Sequence, residues 1–191
     1  MQVAAVILAA GASTRFGSPK QAARLGSDTM LAAVTARAHD AGLGPVIAVV
    51  PPGTAVGPDV VPVINADPAA GLSRSLRMGL AAVPAEVSAA VVLLGDQPTL
   101  PVSTIGSLLA TVTDLPIVAA FAEGRIGPPV LLRRDAFALA GDASGDEGLR
   151  SVLEDRPELV VRVAVETHPP DVDTPADLAR IAHMFESSAD R

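Results

Sequence analysis

The chain has 191 residues, 49% of them hydrophobic, which suffices for one ordinary domain with a sizeable core. A formal net charge of −7 and the lack of tryptophan and tyrosine argue against a nucleic-acid-binding protein, because such proteins need basic surfaces and aromatic stacking platforms. No apolar run reaches the roughly 20 residues of a membrane-spanning helix, and the absence of cysteine excludes disulfides and thiolate metal sites.

Short apolar runs rich in Val, Ile and Ala alternate along the chain with amphipathic segments, a pattern that predicts strands joined by crossover helices. The predicted strands are Ala4–Leu8, Val46–Val50, Val60–Ile64, Ala89–Leu94, Ile117–Phe121 and Leu159–Val165. Most runs are continuously apolar, which is typical of a mainly parallel sheet covered on both faces. The pattern therefore predicts an α/β fold, as one domain over residues 1–191 with a disordered tail at about 187–191.

Helices are predicted between these strands from helical periodicity and capping signals. The predicted helices are Thr29–Ala41 with Asp28 as cap, Ser73–Val83, Pro101 or Val102–Thr111, Arg134–Ala140, Asp146–Asp155 and Pro175–Phe185. The last has the strongest start, with Thr174 as N-cap, Pro175 at the first helical position and Asp177 completing a capping box.

The segment LAAGASTRFGSPK follows the first strand, so it lies at the edge of the sheet where α/β folds bind ligands. Its glycine, its hydroxyls and two cations, Arg15 and Lys20, suit a phosphate chain, and Lys20 is the only lysine among fourteen basic residues. The segment matches neither common phosphate-loop spacing, and an ordinary surface loop is the alternative. A secretory signal over Val3–Ala12 is disfavoured because no positively charged leader precedes it, and we expect a cytoplasmic protein.

Acidic residues follow two later strands. Asp96 ends the run VVLLGDQP, and Asp171 and Asp173 lie two residues apart in DVDTPADL, on one face if that segment is extended. Such carboxylates suit Mg²⁺, which takes one or two of them together with substrate phosphates. Each aspartate alone is more often a turn former or a helix cap than a metal ligand, but their occurrence with the cationic loop reverses that weighting and favours a metal site.

A third candidate is NADPAAGLSRSLRMGL, where Gly71 precedes a helix whose first turn carries Ser73 and Ser75. These small donors are able to reach a nucleotide base or sugar. Arg74 and Arg77 share a helix face by spacing, and we expect that face to be solvated.

Together these motifs resemble the MobA-like nucleotidyltransferases over nearly the full chain, and LAAG is more similar to the molybdenum cofactor cytidylyltransferases than to the guanylyltransferases. GLSRSL resembles that family's nucleotide segment, LLGDQP its metal-binding strand end, GRIGPPVLL its acceptor-side loop, and GDEGLRSVL and DVDTPADL its later motifs. The resemblance implies a three-layer Rossmann-like nucleotidyltransferase fold that transfers a nucleotidyl group from an NTP and releases pyrophosphate.

By this resemblance, each candidate residue takes a role. Arg15 and Lys20 would hold the triphosphate, Asp96 and Asp173 would hold Mg²⁺, and Asp171 would lie beside them. The residues expected to contact the nucleotide are Leu8, Ala10, Gly11, Ala12, Ser13, Gly71, Ser73 and Ser75. An acceptor phosphate is already ionised at neutral pH, so no general base is needed, and we expect His39, His168 and His183 to be structural or solvated.

The resemblance fails at one point, because the acceptor loop reads Gly127-Pro128-Pro129-Val130 where relatives with a pterin acceptor commonly have histidine after the glycine. We expect CTP as donor and the phosphate of molybdopterin cofactor as acceptor, with a client molybdoenzyme or its chaperone as a further partner. The alternatives are GTP as donor, another phosphorylated acceptor, or a non-catalytic carrier of nucleotide or cofactor.

Overall fold

The computed structural model of the protein describes residues 2–11, 13, 16, 17, 20–143, 145 and 148–186. The strands are β1 (Val3–Leu8), β2 (Arg24–Leu25), β3 (Asp28–Thr29), β4 (Val46–Val50), β5 (Val60–Ile64), β6 (Ala89–Leu94), β7 (Ile117–Ala122), β8 (Arg125–Arg133) and β9 (Val160–Ala164). In this part of the chain seven strands form one sheet in the order β5-β4-β1-β6-β8-β7-β9, and β2 pairs with β3 in a small hairpin.

The sheet is mainly parallel, as the continuous apolar runs predict. β1 pairs in parallel with β4 and β6, β4 with β5, and β7 with β9. The six predicted strands are confirmed to within two residues at each end. β8 was not predicted: it runs antiparallel to β6 and β7, and its Gly127, Pro128 and Pro129 disguise it because glycine and proline are depleted in strands.

The helices are α1 (Met30–Asp40), α2 (Leu72–Ala81), α3 (Val102–Ala110), α4 (Arg150–Asp155) and α5 (Pro175–Glu186). Two expectations are corrected. Thr29 rather than Asp28 caps α1, since its hydroxyl accepts the Ala32 N–H at 3.1 Å while Asp28 pairs within the hairpin. Residues Arg134–Gly141 form a 3₁₀ helix, and the predicted helix start at Asp146 and the predicted tail at about 187–191 lie outside the described residues.

The sheet separates two apolar clusters, because successive side chains of each strand point to opposite faces. Val6 and the α2 residues Leu76 and Leu80 belong to one cluster, whereas Ile7 packs on the other face with α1 and α3. The three-layer arrangement implied by the resemblance is therefore confirmed. None of the helices in the described residues is both long and apolar enough to cross a membrane.

A third apolar cluster lies beside the sheet and joins α1, the β2–β3 hairpin and α5. Its buried members are Leu25, Met30, Ala33, Val172 and Ile181, with Phe16, Leu178 and Phe185 packed against them. Val172 lies between Asp171 and the predicted metal ligand Asp173, and Phe16 lies in the loop after β1. The cluster thus anchors two segments that carry candidate site residues.

Candidate active site

Three of the predicted site residues meet at the carboxyl edge of the sheet. The Nζ atom of Lys20 lies 2.7 Å from Oδ2 of Asp96 and 3.1 Å from Oδ1 of Asp173. These residues are 76 and 153 positions from Lys20 in sequence, so the fold alone brings them together. The convergence of the loop after β1 with both acidic segments, which the sequence predicts, is therefore present.

Asp96 is positioned by a tight exit from β6. The Gly95 N–H donates to the Leu8 carbonyl at 2.9 Å, which holds the ends of β1 and β6 together. A Cβ atom at position 95 would lie 2.6 Å from the Ala9 Cβ, so a side chain there would push the two strand ends apart. Glycine before Asp96 is the sequence feature that allows the carboxylate to approach the loop after β1.

Asp173 is positioned from both sides along the chain. The preceding residue, Val172, donates its N–H to the Asp96 carbonyl at 2.9 Å, so the segment after β9 is attached directly to the end of β6. On the other side, the predicted capping box is confirmed: Thr174 N–H donates to Asp177 Oδ2 at 2.9 Å, and Asp177 N–H donates to Thr174 Oγ1 at 3.2 Å. The box fixes the start of α5 immediately after Asp173.

Lys20 is held through the loop that follows β1. Its backbone N–H donates to Ser13 Oγ at 3.2 Å, and the Ser13 hydroxyl donates to the Gly11 carbonyl at 3.3 Å. Ser13 has a φ angle of 51°, a left-handed conformation that a small polar residue tolerates better than a bulky one. Ser13 thus contacts Lys20 rather than projecting freely toward a ligand.

Lys20 and the two carboxylates form one electrostatic cluster. Burial by itself would lower the pKa of Lys20, but attraction by and hydrogen bonding to Asp96, and then Asp173, outweigh burial and raise that pKa above its ordinary value. In the described residues the Lys20 ammonium contacts two carboxylates, those of Asp96 and Asp173, from here on called the carboxylate pair. Within the described residues, Asp96 Oδ1 is buried without a hydrogen-bond partner, as expected of an oxygen that accepts a metal ion.

The carboxylate pair fits a divalent cation that also binds substrate. Among the described residues no group of three or more His, Cys, Asp or Glu side chains is arranged to hold a metal ion. Mg²⁺ commonly binds through one or two carboxylates and completes its coordination with substrate phosphates and water. The carboxylate oxygens, including the unpartnered Oδ1 of Asp96, therefore fit an open Mg²⁺ site that substrate completes. They do not fit a closed structural metal site, in which the protein supplies every ligand.

Gln97 is a site residue that the sequence reading missed. Its side chain is buried, and Nε2 donates to Asp171 Oδ1 at 2.9 Å and to the Pro169 carbonyl at 3.4 Å. Partial burial raises the pKa of the Asp171 carboxyl, Asp96 and Asp173 act in the same direction, and the Gln97 hydrogen bond opposes them. A polar residue directly after Asp96 at a strand end was the available signal.

A cavity of about 360 Å³ opens beside Asp171. Its wall is mostly aliphatic and comes from β1, α2, β6, β8 and α4. The lining residues are Leu8, Leu72, Leu76, Val92, Leu94, Ile126, Gly127, Pro128, Val130, Leu149, Arg150, Leu153 and Asp171. Gly127 and Pro128, predicted to lie in an acceptor-side loop, belong to strand β8 and form part of one wall. Leu8 lies at the boundary between the cavity and the end of β1.

The predicted nucleotide segment is more buried than expected. Ser73 and Ser75 are 2% and 4% exposed, and Ser75 Oγ accepts a hydrogen bond from the buried Asn65 amide at 3.0 Å. The Asn65 Oδ1 atom in turn accepts from Arg74 Nε at 3.2 Å. Asn65, also missed from the sequence, therefore links the end of β5 to α2, and the assignment of both serines to the base stays a prediction.

Gly71 is required by a close approach of two loops. It has a φ angle of 83°, and a Cβ atom there would lie 2.6 Å from the carbonyl group of Gly145. Arg77, expected on a solvated face, donates to the Ala143 carbonyl at 3.0 Å and so supports the same loop. The start of α2 therefore lies directly against the Gly145 backbone.

The remaining predicted residues divide into three groups. Ala10 is buried and Gly11 exposed at the end of β1. Ala12 and Arg15 lie outside the described residues. His39 and His183 lie in α1 and α5, whereas His168 places its ring beside Gly127 and its Nε2 lies 3.2 Å from the Arg125 carbonyl. A histidine thus contacts the acceptor-side loop, although that loop contains none.

Comparison with solved structures shows close similarity to mycobacterial proteins. The Mycobacterium tuberculosis Rv0371c homolog from Mycobacterium sp. strain JC1 is 30% identical, with a TM-score of 0.82, and the match covers 98% of this chain and 100% of that one. Rv0371c from M. tuberculosis H37Rv in complex with manganese is 28% identical, with a TM-score of 0.77 and coverage of 96% and 98%.

A more distant neighbour shares the fold. The inositol-1-phosphate CTP transferase from T. maritima is 18% identical, with a TM-score of 0.79 over 100% of this chain and 97% of that one. No curated protein sequence matches significantly. The model of the MobA-like NTP transferase domain matches residues 5–162, which include the loop after β1, the strand end at Asp96 and the acceptor-side loop. This chain therefore belongs to the family of MobA-like NTP transferases.

Proposed function

We propose that this nucleotidyltransferase transfers CMP from CTP to the phosphate of molybdopterin cofactor, with Mg²⁺ as its metal ion. The observation that carries the proposal is the meeting of Lys20 with the carboxylate pair at 2.7 and 3.1 Å, at the edge where the chain's resemblance places the triphosphate. The LAAG form of the loop supports CTP over GTP. We propose the cytoplasm as its location and a client molybdoenzyme or its chaperone as recipient of the product.

The chemistry needs positioning and charge neutralisation rather than a base. A phosphate oxygen of the acceptor forms a bond to the α-phosphorus of CTP while the bond from that phosphorus to the pyrophosphate oxygen breaks. The acceptor oxygen is already ionised, so no proton has to be removed. When bound to Asp96 and Asp173, Mg²⁺ would supply positive charge to the phosphoryl oxygens. Lys20 and, by the resemblance, Arg15 would stabilise the leaving pyrophosphate.

The cavity beside Asp171 supports an acceptor that packs one face of a ring system on an apolar wall. Its aliphatic walls offer few hydrogen-bonding groups, and Asp171 and Arg150 are its charged lining residues. A polyol acceptor would leave many hydroxyl groups without partners against such a wall, which carries a desolvation cost. A heterocyclic acceptor with one phosphate tail matches this lining better.

Pyrophosphate release with each NTP and with molybdopterin cofactor tests the proposal. We expect turnover with CTP and a loss of about a hundredfold or more in Asp96→Ala, because a preorganised charge contact is removed. The matched control is Asp135→Ala, which removes an exposed carboxylate beside Arg133. Thermal unfolding of both variants should resemble that of the wild type.

Three outcomes would change the assignment. A preference for GTP would refute the base assignment, and turnover with a different phosphate ester only would refute the acceptor. Cofactor delivery that is unchanged in Asp96→Ala would favour a carrier over an enzyme. Wild-type activity in Asp96→Ala would show that the carboxylate pair is not the reaction centre.

A further inference from the structure

The Lys20 ammonium contacts the same two carboxylates that a metal ion would use. We infer that a divalent cation must displace Lys20 from the carboxylate pair, and that metal therefore binds tightly only together with a nucleotide whose phosphates receive the ammonium. This inference rests on the metal and triphosphate assignments of the proposed function, and it adds the order and coupling of the two binding events.

The competition follows from the distances. Lys20 Nζ donates to Asp96 Oδ2 at 2.7 Å and to Asp173 Oδ1 at 3.1 Å, so the ammonium lies between the two carboxylates. A Mg²⁺ ion bound to both would lie about 2.0–2.1 Å from its oxygen ligands. Two cations cannot share that space, because their repulsion at such separations is large in a partly buried site. The Lys20 side chain is 16% exposed, so water screens the pair only weakly.

Lys20 is able to leave the carboxylates without a change in its backbone. Its N–H is fixed by Ser13 Oγ, and its carbonyl accepts the Ala23 N–H at 3.0 Å. The flexible four-carbon side chain extends from this fixed point, so the ammonium moves while the loop stays in place. Phosphate oxygens are the natural second partner, since they form charge-assisted hydrogen bonds of similar strength.

The inference also explains why the only lysine of the chain occupies this position. Thirteen of the fourteen basic residues are arginine, whose planar guanidinium binds a carboxylate through two parallel hydrogen bonds. An arginine at position 20 would hold the carboxylate pair in a fixed geometry. The compact ammonium of lysine has no such preference and exchanges carboxylate for phosphate more readily.

Mn²⁺ binding to the full chain tests this, with free Mn²⁺ measured by electron paramagnetic resonance in the absence and presence of CTP. Without CTP, we expect Lys20→Met to bind Mn²⁺ about tenfold more tightly than the wild type. In the wild type the metal ion must break a charge-assisted hydrogen bond between Lys20 and the carboxylate pair, and the variant has no such bond. CTP should tighten Mn²⁺ binding more in the wild type than in Lys20→Met, because only the wild type has an ammonium to transfer. Lys20→Arg should bind no more tightly than the wild type.

The control variant removes a cation at the opposite edge. Arg133→Met changes the net charge by the same amount, and Arg133 pairs with Ala89 at the start of β6, away from the carboxylate pair. Equal gains in Lys20→Met and Arg133→Met, or no gain in Lys20→Met, would overturn the inference. Lys20→Gln, an uncharged polar variant, repeats the measurement if Lys20→Met fails to fold, with circular dichroism as the check.

The result separates this inference from the proposed function. If Mn²⁺ binds neither the wild type nor Lys20→Met, with or without CTP, then the carboxylate pair is not a metal site and both ideas fail. If Lys20→Met gains affinity but the wild type does not transfer CMP to molybdopterin cofactor, the inference stands and the acceptor assignment fails.

Discussion

The packing of α2 on the sheet can be tested at Gly79, where the helix approaches two strands. A Cβ atom at this position would lie 2.4 Å from Cγ1 of Val6 and 3.0 Å from Cγ2 of Val49. Both valines are fully buried and β-branched, so neither side chain is free to move away. Overpacking of this kind costs about 1–3 kcal/mol, whereas replacing glycine by alanine inside a helix contributes about 1 kcal/mol of stability. The 2.4 Å approach puts overpacking at the upper end of its range, about 2–3 kcal/mol, so its cost exceeds the helix gain.

We therefore expect Gly79→Ala to lower the free energy of unfolding by about 1–2 kcal/mol, measured by urea denaturation with an unchanged m-value. Gly106→Ala is the matched control, because Gly106 lies inside α3 and a Cβ atom there meets no atom within 4 Å. That variant should gain about 0.5–1 kcal/mol. Gly79→Ala should lower the free energy of unfolding by less in a Val6→Ala background than in the wild type, because the shorter side chain relieves the clash. A Gly79→Ala protein as stable as Gly106→Ala would refute the packing argument.

Two further predictions concern Gly71 and Glu123. Gly71→Ala should cost about 1–3 kcal/mol in urea denaturation and weaken CTP binding by calorimetry, because its Cβ would meet the Gly145 backbone, and unchanged values for both would contradict this. The Thr167 hydrogen bond and the Arg125 ion pair lower the pKa of Glu123, so its carboxylate stabilises the fold above about pH 4.3 and less as pH falls. Glu123→Gln should therefore lower the urea midpoint near neutral pH but not in acid, and an equal loss at both pH values would exclude this linkage.

Most of the sheet could be predicted because its parallel strands are buried on both faces. Runs such as Val46–Val50 are apolar throughout, and a strand covered on both faces is the structure that buries all of their side chains. β8 was not predicted because it lacks such a continuous apolar run. Its residues near Gly127 face a cavity and a loop, and they include glycine and proline, which are depleted in strands. Tertiary pairing with β6 and β7 decides its conformation.

The site was predictable where topology alone determines position. Lys20, Asp96 and Asp173 each follow a parallel strand or a segment beyond one, and carboxyl ends of parallel strands share an edge. Burial was not predictable in the same way. Ser73 and Ser75 resemble exposed helix-start residues in sequence, but both are buried in the structure, as is Leu76 beside them. Only packing reveals that their hydroxyls are enclosed.

The reversed direction of β8 has a consequence for how this architecture diversifies. Because β8 begins at the edge where the parallel strands end, the turn at Glu123 and Gly124 projects beyond the ladder, next to the cavity wall. Residues inserted in this turn would reshape the cavity while leaving the register of β6 and β8 unchanged. Lengthening this one hairpin would therefore change the cavity while the strand ends that carry Asp96 and its neighbours keep their positions.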